Sequence, residues 1–167
     1  IEWILCQAEV QLHGLQETRA TEVEQGRMET ELSHQGWHVA WGKPMEPHRS
    51  VTDAKPGGVA IAAKFPLRRI LLQTDAAIFL WGSGRFVHAL AQVDGLIVHA
   101  LCCYGYSGAR QHRAVKEKNE ALLGALQDII ISIGQQPLLL MGDLNTTPTC
   151  SPTLGTMLNT GLLCDLG

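Results

Sequence analysis

Pro137-Leu138-Leu139-Leu140-Met141-Gly142-Asp143-Leu144-Asn145-Thr146-Thr147-Pro148 is the stretch on which the reading of this chain turns. Residues 137–141 form a short apolar run that reads as a strand, and it passes straight into Gly142-Asp143. An acidic side chain is thereby placed at a strand end. In α/β folds that is where ligands gather, because the rigid sheet holds side chains that then face open space. Taken alone, the Gly-Asp-x-Asn-Thr-Thr-Pro run reads equally well as an Asx-rich turn that caps a helix.

Working outward, residues 110–133 are the longest helical candidate, with Val115, Leu122, Leu126 and Ile129 or Ile130 near helical spacing and Gly134 at its end. Before it, the apolar runs Phe86–Val93 and Leu96–Cys103 flank Asp94-Gly95, the strongest short hairpin signal, and 104–108 read as a loop. Strand-like runs occupy 58–63, 69–73 and, more weakly, 76–81, and 37–41 alternates as a strand should. Residues 43–56 hold three prolines and many polar groups, which marks an exposed loop. Residues 21–35 read as a helix with Val23, Met28 and Leu32 as apolar positions and Gly36 as its C-cap. Residues 10–16 read as a strand ending in Gln16-Glu17-Thr18-Arg19. Downstream, a helix is expected from Ser151 or Pro152 through Leu158, and 161–165 opens a further element. Strands outnumber helices, some are hairpin-linked and helices separate the others. The pattern is α/β (α+β), a mixed sheet covered by helices, and with no repeat or linker it reads as one domain over 1–167.

Composition narrows the class of protein. Hydrophobic residues make up 46% and charged residues 17% of the 167, which suits a globular domain with a real core. A net charge of −3 argues mildly against a surface built wholly for nucleic acid, although a metal site handles phosphate charge with carboxylates of its own. The five cysteines include adjacent Cys102 and Cys103 in an apolar run, and none falls in a CxxC or zinc spacing. They read as reduced thiols of an intracellular protein, nuclear or cytoplasmic. No segment approaches the roughly 18 consecutive apolar residues of a membrane span. The opening Ile1-Glu2-Trp3-Ile4-Leu5 lacks the features of a signal peptide and starts inside apolar sequence without a Met, as a chain cut at the front would.

Glu17 is the second acidic residue at a strand end. Magnesium takes hard oxygen ligands and keeps several waters, so one or two protein carboxylates are enough to hold it. The seven histidines are scattered, and no histidine metal site is expected.

Leu15-Gln16-Glu17-Thr18 resembles the LQET signature of the endonuclease/exonuclease/phosphatase superfamily, the DNase I-like and exonuclease III-like proteins. The run from Leu139 to Pro148 resembles its GD-[FL]-N-x-x-P signature. Between them, Gly57-Gly58-Val59-Ala60-Ile61 is similar to the family's glycine-led strand, and 98–104 to its strand ending in a tyrosine. Residues 158–165 are similar to the family's L…GL.D run. Motif order and spacing agree over the whole chain.

The resemblance implies a partial four-layer α/β sandwich of the DNase I-like type, with mixed β-sheets flanked by helices. It implies a magnesium-dependent phosphodiesterase, with Mn2+ as the alternative ion. Glu17 would be a metal ligand, Asp143 would orient or deprotonate the attacking water, Asn145 would hold the scissile phosphate, and Tyr104 would contact a phosphate oxygen. Ser107 and Arg110 fall where some nucleases of the family place substrate-binding residues. The substrate expected is nucleic acid, DNA ahead of RNA, cut by a retroelement-like or apurinic-endonuclease-like endonuclease that is a monomer and has no membrane partner. The alternatives are a phosphatase or phosphodiesterase on RNA or small phosphorylated substrates, and an inactive fragment.

Complete members are longer. They begin with a strand carrying an active-site Asn and end with an Asp-His motif, whereas the first Asn here is Asn119 and no His follows Asn145. The expectation is an incomplete domain, weakly active or inactive by itself. Plainer readings stand beside the catalytic ones. Glu17 is also a solvated strand-end residue able to pair with Arg19, and Tyr106 is better read as loop packing. The basic run Arg110, His112, Arg113, Lys116, Lys118 is as much a solvated helix face as a guide for a polyanion.

Overall fold

The computed structural model describes residues 11–46 and 57–166. Its first sheet is built from Leu12–Gln16 (β1), His38–Trp41 (β2) and Val59–Ala63 (β3), in the order β1-β3-β2 and antiparallel throughout. All five residues of β3 are buried, so this central strand is apolar on both faces. Ala60 and Ala62 look toward the helix Glu22–His34 (α1), packing with Leu15, Leu32, Trp37 and Trp41, while Val59 and Ile61 look toward the second sheet. Thr21 starts α1 with a capping box: its hydroxyl accepts from Glu24 N, and the Glu24 carboxylate accepts from Thr21 N at 2.8 Å. At the other end Gly36, at φ +74°, leads the chain out of the helix.

The second sheet runs Leu67–Arg69 (β4), Phe86–Val93 (β5), Leu96–Cys103 (β6) and Leu138–Met141 (β7), in that order across the sheet. The β5–β6 hairpin forms as read, and Asp94 (φ +48°) and Gly95 (φ +81°) both take the left-handed conformation that a tight hairpin turn needs. β6 and β7 are parallel, which requires a long crossover, and the helix Arg113–Ile133 (α3) supplies it. Helices Asp75–Gly82 (α2), α3 and Pro152–Asn159 (α4) cover the outer face of this sheet around Leu80, Leu101, Leu122, Leu126 and Met157. The layers are therefore α1, first sheet, second sheet, and the α2–α3–α4 group. This is the four-layer α/β arrangement expected. The two sheets meet through Ala40, Val59, Ile61, Val87, Ala89, Ala100, Cys102 and Tyr104.

Several boundaries differ from the sequence reading. Residues 76–81 are helical in α2: Thr74 caps it by accepting from Ala77 N at 3.2 Å, and Ala77 and Leu80 turn inward. A short apolar run has no period that separates strand from helix, and the cap decided it. The strand expected at 69–73 is displaced, with β4 ending at Arg69. Helix α3 begins at Arg113 after a turn in which Gln111 N and His112 N both donate to Gly108 O. Val23 is 83% exposed, because the inward face of α1 runs through Gln25, Met28 and Leu32 and Val23 lies about 200° around from Gln25. Residues 161–166 form neither helix nor strand. Val10 and most of the loop expected at 43–56 lie outside the described residues. Cys102, Cys103, Cys150 and Cys164 are free thiols, and burial pushes the Cys102 thiol up to about 11. No helix among the described residues is long and apolar enough to cross a membrane.

Candidate active site

The ends of β1, β6 and β7 converge at one rim of the sandwich. β1 lies so close to the second sheet that a Cβ on Gly14 would meet Met141 Cβ at 2.7 Å and Cys102 Sγ at 3.2 Å. Gln16 Nε2 donates to Cys102 Sγ at 3.3 Å, which ties the last residue of β1 to β6. Glu17, Tyr104 and Asp143 leave the sheets just past these contacts.

Glu17 and Arg19 both have positive φ (52° and 48°), so the chain turns sharply off β1. Thr18 N and Arg19 N donate to Gly58 O and Gly57 O at 3.2 and 3.3 Å, which anchors the turn to the start of β3. Gly58 has to be glycine: it sits at φ +82°, and a Cβ there would lie 2.8 Å from Arg19 N. The Glu17 side chain is 42% exposed. Tyr104 OH donates to Glu17 Oε1 at 2.5 Å, and Arg19 Nη2 lies 3.3 Å from Glu17 Oε2. The Tyr104 hydrogen bond is the main cause that holds the Glu17 carboxyl below its ordinary range; burial opposes it, and the charge and hydrogen bond of Arg19 add to it. Since Tyr104 OH gives its proton to Glu17, Ser107 Oγ, 3.0 Å away, is the donor to Tyr104.

The second half of the site is the loop after β7. Gly142 (φ +131°) passes so close to β6 that a Cβ would overlap the Cys103 carbonyl oxygen, and a Cβ on Gly105 would overlap that of Leu144. Gly105 N donates to Asp143 O at 2.8 Å, and Asn145 Nδ2 donates back to Gly105 O at 3.0 Å. Asp143 Oδ1 accepts from Asn145 N at 2.8 Å, and Asn145 itself has φ +52°. Buried Asn119 on α3 clamps the same pair of loops, accepting from Tyr106 N at 2.8 Å and donating to Leu144 O at 3.1 Å. Arg85, 7% exposed, donates to Gly105 O at 2.8 Å and stacks on Tyr104 and Tyr106 at 4.9 and 4.2 Å from the ring centroids.

Of the six residues expected from sequence, Glu17, Tyr104 and Ser107 thus form one hydrogen-bonded chain. Asp143 and Asn145 stand in a loop bonded to the residue after Tyr104. Arg110 is exposed on the turn before α3 and makes no hydrogen bond or ion pair among the described residues. The plainer readings hold as well: Glu17 does pair with Arg19, Asp143 does form an Asx turn, and Tyr106 packs against the core. Sequence reading missed Arg85 and Asn119. Asn119 was visible in principle, since Val115, Asn119, Leu122 and Leu126 follow helical spacing and place an amide in an apolar stripe. Arg85, next to an apolar strand, gave no such sign.

Among the described residues no group of three or more His, Cys, Asp or Glu side chains comes together. The donor set here is two solvent-reaching carboxylates, Glu17 and Asp143, with one amide and one phenol. That set suits a hard, largely hydrated ion rather than a soft one with a full protein shell.

A two-sheet sandwich with acidic side chains at converging strand ends defines the class. The chain belongs to the Endonuclease/Exonuclease/phosphatase family, which it matches over residues 5–165. That family is one of phosphoester hydrolases, generally dependent on a divalent metal. Among solved structures, the chain is similar to the 3′ phosphatase NExo from Neisseria bound to product DNA hairpin, at 19% identity over 88% of this chain and 52% of that one (TM-score 0.59). It is similar to the human Nocturnin catalytic domain at 16% identity, over 93% of this chain and 58% of that one (TM-score 0.60). A third likeness is to sphingomyelinase C from Streptomyces griseocarneus, at 18% identity over 96% and 60% (TM-score 0.58). The chain spans between about half and three fifths of the length of these structures. Curated protein sequences include no significant match.

Proposed function

We propose that this chain carries the site of a divalent-metal-dependent phosphodiesterase that cuts DNA as an endonuclease, with magnesium as the ion and manganese as its substitute. One observation carries the reading. Tyr104, just past the end of β6, bonds the Glu17 carboxylate, and the next residue, Gly105, is bonded by the loop that carries Asp143 and Asn145.

Glu17 is the residue that would hold the ion: its carboxyl is kept ionised and its side chain reaches solvent. A bound magnesium ion would neutralise charge on the non-bridging oxygens of the phosphate. Asp143 would orient or deprotonate the attacking water. Asn145 uses one of its two amide N–H groups on Gly105 O, which leaves the other for a phosphate oxygen. The single Tyr104 O–H proton is given to Glu17, so Tyr104 would contact a phosphate oxygen by passing that hydrogen bond from the carboxylate to the phosphate once Glu17 takes the ion. Phosphoryl transfer needs positioning and charge stabilisation more than covalent chemistry, and these groups supply both.

The choice of DNA rests on a border of positive charge. The Cys150 thiol is held below its ordinary value by hydrogen bonds from Thr147 and Thr149, with a contribution from the charges of Arg110 and Lys116. Arg110 and Lys116 belong to an exposed basic run (Arg110, His112, Arg113, Lys116, Lys118) that follows the Tyr104 loop, a surface that would attract a phosphate backbone. The net charge of −3 favours a second reading, a phosphatase or phosphodiesterase acting on RNA or a small phosphorylated compound.

The test is to incubate the purified chain with supercoiled plasmid, single-stranded RNA and a small bis-phosphoester, with and without MgCl2, and to titrate Mn2+ by electron paramagnetic resonance. Expected are weak but measurable magnesium-dependent nicking of DNA ahead of the other substrates, its loss in Asp143→Ala, and weakened Mn2+ binding in Glu17→Ala. Hydrolysis indifferent to Asp143, or Mn2+ affinity indifferent to Glu17, would overturn the assignment.

A further inference from the structure

We infer that Arg85 is a positioning residue for this reaction, its buried guanidinium fixing the Gly105 carbonyl and the Tyr104 ring and thereby the stance of Asn145 and of the Tyr104 hydroxyl. The inference rests on the function proposed above.

Arginine is seldom buried to this degree without a task that repays its desolvation. Here the side chain does three things at once. It donates to Gly105 O at 2.8 Å and approaches Tyr104 O at 3.4 Å, it lies against the Tyr104 ring, and it lies against the Tyr106 ring. Its backbone carbonyl also accepts from Tyr104 N at 2.9 Å, so main chain and side chain grip the same residue. The decisive contact is the Gly105 carbonyl. That oxygen has two lone pairs, and its two partners are Arg85 Nη1 and Asn145 Nδ2. The position of this one atom sets where the Asn145 amide points, and Arg85 holds it. No side chain at position 105 shares the task, since the Leu144 carbonyl occupies that space.

Asn119 makes a useful contrast. It bridges the same two loops, yet it binds only main-chain groups, Tyr106 N and Leu144 O, and reaches neither Gly105 O nor Tyr104. It holds the loops together; Arg85 aims the groups upon them. Lysine cannot replace Arg85, because an ammonium offers no planar fork to reach the carbonyl while stacked between two rings.

The test compares Arg85→Met, Arg85→Lys, Arg85→Gln and Asn119→Ala in the whole chain by two independent readouts. The first is the side-chain amide proton–nitrogen resonance of Asn145, identified by its loss in Asn145→Ala. The second is kcat and KM for magnesium-dependent cleavage. In Arg85→Met the Asn145 resonance is expected to shift and exchange faster with solvent. Its kcat should fall about 10–100-fold at nearly constant KM, as for a small misplacement of a reacting group. Most of that loss should be absent when Arg85→Met is added to Asn145→Ala, the remainder being the part that acts through Tyr104. Arg85→Lys should recover thermal stability without recovering kcat, and Asn119→Ala should lower stability more than it lowers the kcat of the folded fraction. If Arg85→Met does not fold, Arg85→Gln, which keeps one donor, takes its place.

An unmoved Asn145 resonance overturns the inference whatever the activity, as does a kcat loss that adds fully to that of Asn145→Ala. If no variant or parent cleaves any substrate but the resonance moves, the positioning stands and the proposed reaction falls.

Discussion

Two polar clusters share the β5–β6 hairpin, and they are built to opposite ends. At its open end, Glu17, Tyr104 and Ser107 form a chain that faces the first sheet and reaches solvent, with every hydroxyl and carboxylate oxygen engaged. In its middle, on the face covered by helices, His88 Nε2 and His99 Nδ1 lie 2.9 Å apart, and His99 Nε2 lies 2.9 Å from Gln136 Oε1. That oxygen only accepts, so His99 Nε2 carries a proton and His88 Nε2 donates to His99 Nδ1. His88 Nδ1 is left as a buried acceptor without a partner among the described residues. Burial, and then the neighbouring His99, push His88 down to about 4. The first cluster is arranged to carry a negative charge, and the second to stay neutral. A polar group in a fold marks a functional site when its surroundings favour the charged form and leave it reachable, and here only the first does.

The largest expected effect would break the first cluster's chemistry and leave the fold alone. Asp143→Ala should lower magnesium-dependent cleavage by about two to four orders of magnitude. It should scarcely move thermal unfolding, because Asp143 is exposed and its side chain, among the described residues, bonds only Asn145 N. Asn119→Ala reverses the balance. It leaves Tyr106 N and Leu144 O without partners and opens a cavity beneath them, so denaturant unfolding should show a loss on the order of 2–4 kcal/mol.

The histidine pair should show itself as acid sensitivity. As pH falls from 6.5 toward 4, the unfolded chain takes up a proton that folded His88 refuses, so stability declines across that window. His88→Leu should flatten this slope in pH-dependent unfolding, and an unchanged slope would assign the acid sensitivity elsewhere. Tyr104→Phe should have the smallest effect. Removing its hydrogen bond raises the Glu17 pKa toward the ordinary carboxylate value, observable by carbon NMR of the carboxyl. Because the folded value is depressed, the stability Glu17 contributes is present above its unfolded pKa and is lost as pH falls through the folded one. Tyr104→Phe should therefore lower neutral-pH stability slightly and so reduce the acid-limb loss, the difference from the parent vanishing below the folded pKa.

Much of the fold was legible because its signals are local. Asp94-Gly95 needs only its own backbone to make a hairpin, and Thr21 with Glu24 needs only one turn of helix to cap it. The elements misread were those whose local pattern is ambiguous. Residues 76–81 carry no period, and Val23 is apolar but faces water because the sheet lies on the other side of α1. The site followed the same division. Glu17, Asp143 and Asn145 stand in runs dense enough to be recognised. Arg85 is a single arginine before a strand, and nothing near it in sequence reveals the two tyrosine rings or the carbonyl it serves.

Read alone, the residues were enough for the family, the order of the strands along the chain, and the acidic residues at the ends of β1 and β7. Those follow from short runs whose chemistry and spacing are complete within a few residues. Only the tertiary structure decided that Tyr104 bonds Glu17 rather than simply packing, that Ser107 joins them while Arg110 stands apart, and that Arg85 and Asn119 hold the loops. These contacts join residues between 13 and 87 positions apart wherever they cross from one element or loop to another. Their partners are fixed by how the two sheets pack, and no local pattern contains that information.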